Sequence, residues 1–191
     1  MRGESRRRLF TLLLAGGVLA ALLGLMSLPP GSACGPSVAA LKEGTVTRVY
    51  DGDTIEVAGT VKVRLLGIDA MDAYYEDKTA GQARRYGMTE ARVRHWADRA
   101  GAFVREQAEG ATVALHHGPE LFDDYGRLLA YVHLPADAAG EGPDLSLALI
   151  RQGLAAAYHR SYHPRRESYL EAERDAWQRR AGFWGEAARG P

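Results

Sequence analysis

The run Thr45–Leu66, TVTRVYDGDTIEVAGTVKVRLL, decides how this chain folds. Its segments Thr45 to Tyr50, Thr54 to Ala58 and Val61 to Leu66 are rich in β-branched residues, and Asp51-Gly52-Asp53 and Ala58-Gly59-Thr60 separate them as tight turns. The pattern predicts a three-stranded meander. Downstream, residues 73 to 95 are polar, contain Gly81 and Gly87, and read as a lid, a partner surface or an inert insertion. Trp96, Ala100, Phe103, Val104 and Gln107 then repeat at three and four, which predicts a helix over Trp96 to Ala108 that Gly110 stops. Ala111 to His117 and Leu128 to Leu134 are again strand-like, joined through Gly118-Pro119 and the turn Asp124-Tyr125-Gly126-Arg127. Asp144 is a good N-cap for a helix from Leu145 to Gln152, with Gly153 as its stop. Tyr169, Leu170, Ala176 and Trp177 mark a last amphipathic helix, after a basic, aromatic loop from Tyr158 to Arg166. Five strands with a helix between the third and fourth is the order of an OB-fold. The expected class is α+β, mainly β: a five-stranded OB-fold barrel with three helices.

The 191 residues, 46% of them hydrophobic, suffice for one domain with a proper core. The expected organisation is a targeting segment at 1–33, a linker at 34–43 and one domain at 44–188. The leader has an arginine-rich start, an apolar run from Leu9 to Leu28, and then Pro29-Pro30-Gly31-Ser32-Ala33. It predicts export, secreted or periplasmic, or anchorage to the outer face of a membrane. Cys34 is the only cysteine, so an internal disulfide or cysteine-based metal site is excluded. It stands where a lipoprotein carries its lipidated cysteine, although Gly31 replaces the large aliphatic residue expected three positions earlier. Lipid anchor, cleaved signal and uncleaved signal anchor all fit. Arg2, Arg6, Arg7, Arg8 and Glu4 lie in the leader, so a neutral chain leaves a slightly acidic body. Binding of nucleic acid by bulk charge is excluded, and any phosphate recognition must be local.

Local equipment of that kind is present. Asp51-Gly52-Asp53-Thr54 and Arg64-Leu65-Leu66-Gly67-Ile68-Asp69-Ala70-Met71-Asp72 bring paired carboxylates, a guanidinium and further acids into one hairpin region, and Arg127 adds a second guanidinium. Alone, Asp-Gly-Asp reads as a solvated turn, Arg64 as an exposed strand residue and Arg127 as a turn closure over Asp124. Together they suggest a metal-dependent phosphodiesterase. The six histidines form no metal constellation: His116 and His117, adjacent on a strand, point to opposite faces, one expected in the core and one exposed.

Val49-Tyr50-Asp51-Gly52-Asp53-Thr54, Arg64-Leu65-Leu66-Gly67-Ile68-Asp69, Tyr125-Gly126-Arg127 with Ala130-Tyr131-Val132, and Ile150-Arg151-Gln152-Gly153-Leu154-Ala155 resemble the thermonuclease (staphylococcal nuclease) family. The likeness runs from about residue 44 to Trp184. It implies an OB-fold barrel with three helices and Ca²⁺-dependent hydrolysis of DNA and RNA phosphodiesters; a monomer is expected. By the resemblance, Asp53 and Asp69 are the calcium carboxylates, the Ala70 carbonyl is a backbone ligand, and Arg64 and Arg127 hold the scissile phosphate. Tyr125 and Tyr158 would contact the bound nucleotide, with Tyr162 a weaker candidate. Three positions depart from the pattern, among them Met71 in place of a proline common in the family's turn. Asp72 stands where the family carries the glutamate that activates or positions water, one methylene shorter, and Asp124 replaces a lysine found in some members. The main expectation is an exported nuclease with Asp72 as general base. The alternative is a catalytically weak or inactive OB-fold module that only binds nucleic acid.

Overall fold

A computed structural model of the chain describes residues 38–136, 142–160 and 162–191. The leader and Cys34 lie outside the described residues. A 3₁₀ turn at Val38–Ala40 precedes the first strand. The meander forms where its β-branched runs predict it, as β1 (Glu43–Val49), β2 (Thr54–Val57) and β3 (Val61–Leu65). Two later strands, β5 (Thr112–Phe122) and β6 (Leu128–His133), complete a closed barrel of order β1-β2-β3-β6-β5. Every pairing is antiparallel except β3 with β6, where Arg64 lies opposite Leu129. The result is a five-stranded mixed barrel of OB-like form.

Period-two alternation fills this barrel. Ile55, Val57, Val63, Leu65, Val113, Leu115, Leu128, Ala130 and Val132 are all buried, while Arg64, between Val63 and Leu65, turns to the other side. Against this core packs α3 (Leu145–Arg151), whose Leu145, Leu149 and Ile150 are fully buried. Asp144 caps this helix as its sequence predicts, its Oδ1 accepting the Leu147 N–H at 3.1 Å. Its Oδ2 accepts from the Tyr169 hydroxyl at 2.6 Å and Arg165 at 2.7 Å, which ties α3 to α4 (Arg166–Gln178).

The expected count of three helices is corrected to four among the described residues. Residues 76 to 86, read as part of a polar insertion, form α1 (Glu76–Tyr86), and α2 begins at Glu90 and runs to Ala108. The physical reason is that α1 buries Thr79, Gln82 and Tyr86, a polar face without apolar periodicity. Other signals of a helix were in the chain: Glu76 and Asp77 in the first turn, Arg84 and Arg85 in the last, and a left-handed Gly87 at the C-cap. Thr89 then caps α2, accepting from the Arg92 N–H at 3.3 Å. A second cluster holds α1 in place, with Met71, Tyr86, Val93, Ala97, Ala156, Ala176, Phe183 and Trp184. Tyr86 meets Trp184 edge to face at 5.5 Å.

Two very short strands also escaped the sequence reading. β4 (Ile68–Ala70) pairs with β7 (Ala155–Ala157) in a separate two-stranded sheet. Three residues are too few to show a period. The return into β7 passes Gly153, at φ +63°, against which Gly182 packs backbone to backbone. A Cβ on Gly153 would lie 2.1 Å from the Ala181 carbonyl oxygen. Gly153→Ala is therefore expected to destabilise the protein by at least about 2 kcal/mol, from positive φ plus a backbone clash. Urea unfolding of both forms checks this; an unchanged midpoint would show that the C-terminal turn gives way freely.

Candidate active site

The β1–β2 turn supplies the first acids. The Asp53 N–H donates to Asp51 Oδ1 at 2.9 Å and the Tyr50 N–H to the Thr54 carbonyl at 2.9 Å, so the turn closes on itself and drives the Asp53 side chain inward. Asp53 is buried, and each of its oxygens has a partner while Oδ1 keeps a second lone pair. Its Oδ1 accepts from the Thr54 hydroxyl at 3.1 Å, and its Oδ2 accepts the Ala70 N–H at 3.1 Å and lies 3.2 Å from Arg64 Nη2. Burial acts to raise its pKa, but the Arg64 guanidinium and the Lys78 ammonium outweigh it and hold the carboxyl below the usual range.

Arg64 is rigidly placed. It donates to the carbonyls of Leu65 and Ile68, both at 2.8 Å, so the chain just after β3 wraps its own guanidinium. Arg127, on the β5–β6 hairpin, is held by Asp123: Nε and Nη2 each lie 2.7 Å from Asp123 Oδ2, and its backbone N–H donates to Oδ1 at 2.9 Å. Its Nη1 donates to the Thr54 hydroxyl at 3.1 Å. The partner is thus Asp123 and not Asp124, which is exposed. Arg127, Thr54, Asp53 and Arg64 form an unbroken polar chain across β2 and β3.

On the other side, α1 is fastened to the segment that carries Asp69, Ala70 and Asp72. Gln82 donates to the Ala70 carbonyl at 3.0 Å and accepts the Asp72 N–H at 2.8 Å, and Thr79 donates to the Asp72 carbonyl at 2.9 Å. Asp72 Oδ1 accepts two backbone N–H groups, from Tyr74 and Tyr75, each at 2.8 Å. Lys78 places its ammonium 3.4 Å from Asp69 Oδ1 and 3.5 Å from Asp72 Oδ2. Burial acts to lower its pKa, but the carboxylates of Asp53, Asp69 and Asp72 outweigh this and raise it.

Arg64, Asp69, Lys78, Gln82, Asp123 and Arg127 open onto one groove of about 1240 Å³, lined also by Arg85, Tyr125, Tyr158, His159, Arg160 and Tyr162. That exceeds the roughly 300–1,000 Å³ typical of a small-molecule pocket and suits a polymer. Tyr125 is 85% exposed and Tyr162 83%, with the Arg127 guanidinium 5.4 Å from the Tyr125 ring centre. Tyr158 is held beside the site by its N–H, which donates to the Gly67 carbonyl at 2.8 Å. His116 and His117 are both half-buried, so the expected division into one core and one exposed residue does not hold.

All the sequence-predicted residues therefore line or adjoin one site. Lys78, Gln82, Thr79 and Asp123 are the groups sequence reading missed, three of them because they ride on the unrecognised α1. Among the described residues no three His, Cys, Asp or Glu side chains gather to hold a metal by themselves. The available donors are the Asp53 and Asp69 carboxylates and the second lone pair of the Ala70 carbonyl. All are hard oxygens, which fits Ca²⁺ with a shell filled out by water and substrate. Lys78, a cation already drawn against these acids, shows that the pocket favours positive charge.

Burial and the adjacent Asp53 push Asp51 up to about 6. A carboxyl raised above its unfolded value stabilises the fold fully below about pH 4, and that contribution is lost as pH rises through about 6. Asp51→Asn keeps the Oδ1 acceptor and adds a donor toward Asp53. In chelator it is expected to be more stable than the native chain at pH 7.5, by on the order of 1 kcal/mol, with the gain vanishing near pH 4. Thermal melts across pH test this; a gain independent of pH would show that Asp51 is not raised in the folded protein.

A family model described as staphylococcal nuclease homologue matches residues 62–186. The chain is 30% identical over 149 residues to a micrococcal nuclease of Shigella flexneri, covering 75% of this chain and 74% of that one. It is 27% identical over 146 residues to a thermonuclease of Staphylococcus intermedius, at 73% and 74% coverage. Endonuclease YhcR of Bacillus subtilis is 30% identical over 128 residues, which is 64% of this chain but 9% of that protein. The family match spans more than half of the chain, including Arg64, Asp69 and Arg127, and the barrel is of the kind that match implies: the protein belongs to the staphylococcal nuclease homologue family.

Proposed function

We propose that this protein is a Ca²⁺-dependent nuclease that hydrolyses phosphodiester bonds of DNA or RNA. The observation that carries the reading is the polar chain Arg127–Thr54–Asp53–Arg64, which sets two guanidiniums on one groove beside three carboxylates. A planar fork of donors can grip two phosphate oxygens and follow charge as it builds at phosphorus. Because both forks are anchored before substrate arrives, little reorganisation is left to the reaction. Ca²⁺ bound at Asp53, Asp69 and Ala70 would neutralise phosphate charge and help orient the attacking water. Asp72 acts as general base through Oδ2, the oxygen that its backbone contacts leave available. Tyr125 and Tyr158 offer aromatic faces to bases, which is tolerant of sequence. Export, with or without attachment at Cys34, rests on residues 1–33 and the pattern around them alone.

A binding module without catalysis is the second reading, and the observation favouring it is Lys78 lying against Asp69 and Asp72. Cleavage of single-stranded DNA by the full chain, with Ca²⁺ and with chelator, separates the two. Calcium-dependent cleavage is expected, and it should fall by on the order of 10²–10³ in Arg127→Ala, which removes a charge-stabilising donor. DNA binding without cleavage under any condition would favour the module. Asp72→Asn retains an Oδ1 acceptor for the Tyr74 and Tyr75 N–H groups but loses the base. Turnover is expected to drop on the order of 10²–10⁴ with the melting temperature nearly kept. Unaltered turnover would take Asp72 out of the chemistry.

A further inference from the structure

The acid cluster is served by two cations of different kinds. Arg64 is locked by two carbonyls at 2.8 Å and sits against Asp53. Lys78 is held by charge alone, at 3.4 and 3.5 Å from its two carboxylates, longer than the roughly 2.7–2.9 Å of a tight charge-assisted hydrogen bond. Its side chain remains 39% exposed, so a path into the groove is open. The stem is four flexible carbons carrying a compact charge.

The fastening of α1 does not depend on it. Asp72 Oδ1, Thr79 and Gln82 make the backbone contacts that dock the helix, and Lys78 makes none of them. The ammonium can therefore leave while the helix and the carboxylates stay. An ion coordinated by Asp69 would approach the same carboxylate that Lys78 now neutralises, and two cations cannot share it without strong mutual repulsion.

We propose that Lys78 is a tethered competitor for the divalent-cation position: it neutralises Asp69 and Asp72 in the resting protein and sets the cation concentration at which the site loads. The proposal rests on the calcium reading above. Displaced, the ammonium enters the same groove as the substrate backbone, where an incoming phosphate gives it a new partner. The site then loads weakly in free protein and more readily when nucleic acid is present.

The test is Ca²⁺ binding by titration calorimetry to the full substrate-free chain, comparing the native protein with Lys78→Met, Lys78→Gln and Lys78→Arg. The two neutral variants are expected to bind at least tenfold more tightly, about 1.4 kcal/mol, and the arginine variant to stay within about threefold of native. Ca²⁺ should also raise the melting temperature of the neutral variants more than that of the native chain. Far-UV circular dichroism reports which variants fold, and either neutral one suffices. Equal or weaker binding in a folded neutral variant overturns the proposal while leaving the calcium reading intact. Absence of Ca²⁺ binding in every form, native included, overturns both.

Discussion

Everything at this site hangs on one buried carboxylate. Asp53 joins the β1–β2 turn, the guanidinium of β3 and the backbone of β4 through its two oxygens, with its side chain only 5% exposed. A buried carboxylate is tolerable only when charge and hydrogen bonds compensate its lost hydration, and here the compensation comes from groups that must themselves be held in place. The constraint propagates outward: Arg64 needs the carbonyls of Leu65 and Ile68, and β4 needs β7, which needs the close approach of Gly153 and Gly182. Stability and the arrangement of the site are in this sense the same problem.

The helix α1 gives the site its second wall. Its inward face is polar, and it docks by hydrogen bonds to the Ala70–Asp72 backbone rather than by apolar burial; the apolar contact comes at its end, where Tyr86 enters the second cluster. Such docking is directional, so it fixes the register of Lys78 over the acids. It also leaves the segment less dependent on the barrel core than β1, β2 or β3.

The barrel was legible because β-branched runs and the Asp-Gly and Ala-Gly turns between them point the same way from Thr45 to Leu65. The Asp144 cap and the Gly153 stop were equally plain. The acids and arginines that the fold gathers stood out by residue type, while the role expected of each came from the family resemblance alone. Hidden were the contacts that only folding creates. Nothing in Lys78, Thr79 or Gln82 as letters says that they meet Asp72 and Ala70, because their helix lacks the apolar stripe by which helices are read. Asp123 was overlooked beside Asp124 since two adjacent acids look alike until the turn aims one of them at Arg127. Three-residue β4 and β7 fall below the length at which alternation carries information.

The parallel pairing of β3 with β6 has a consequence for when the site exists. Arg64 and Arg127 are brought to one groove only when a strand near the start of the domain accepts, as its neighbour, a strand laid down after two helices and a long hairpin arm. Such distant closures are among the slower events of folding, since the intervening loop entropy must be overcome first. An unfolded chain thus carries Arg64 and Arg127 far apart, and the pair is assembled only by this closure. The paired guanidiniums are therefore a property of the closed barrel, which neither strand carries alone.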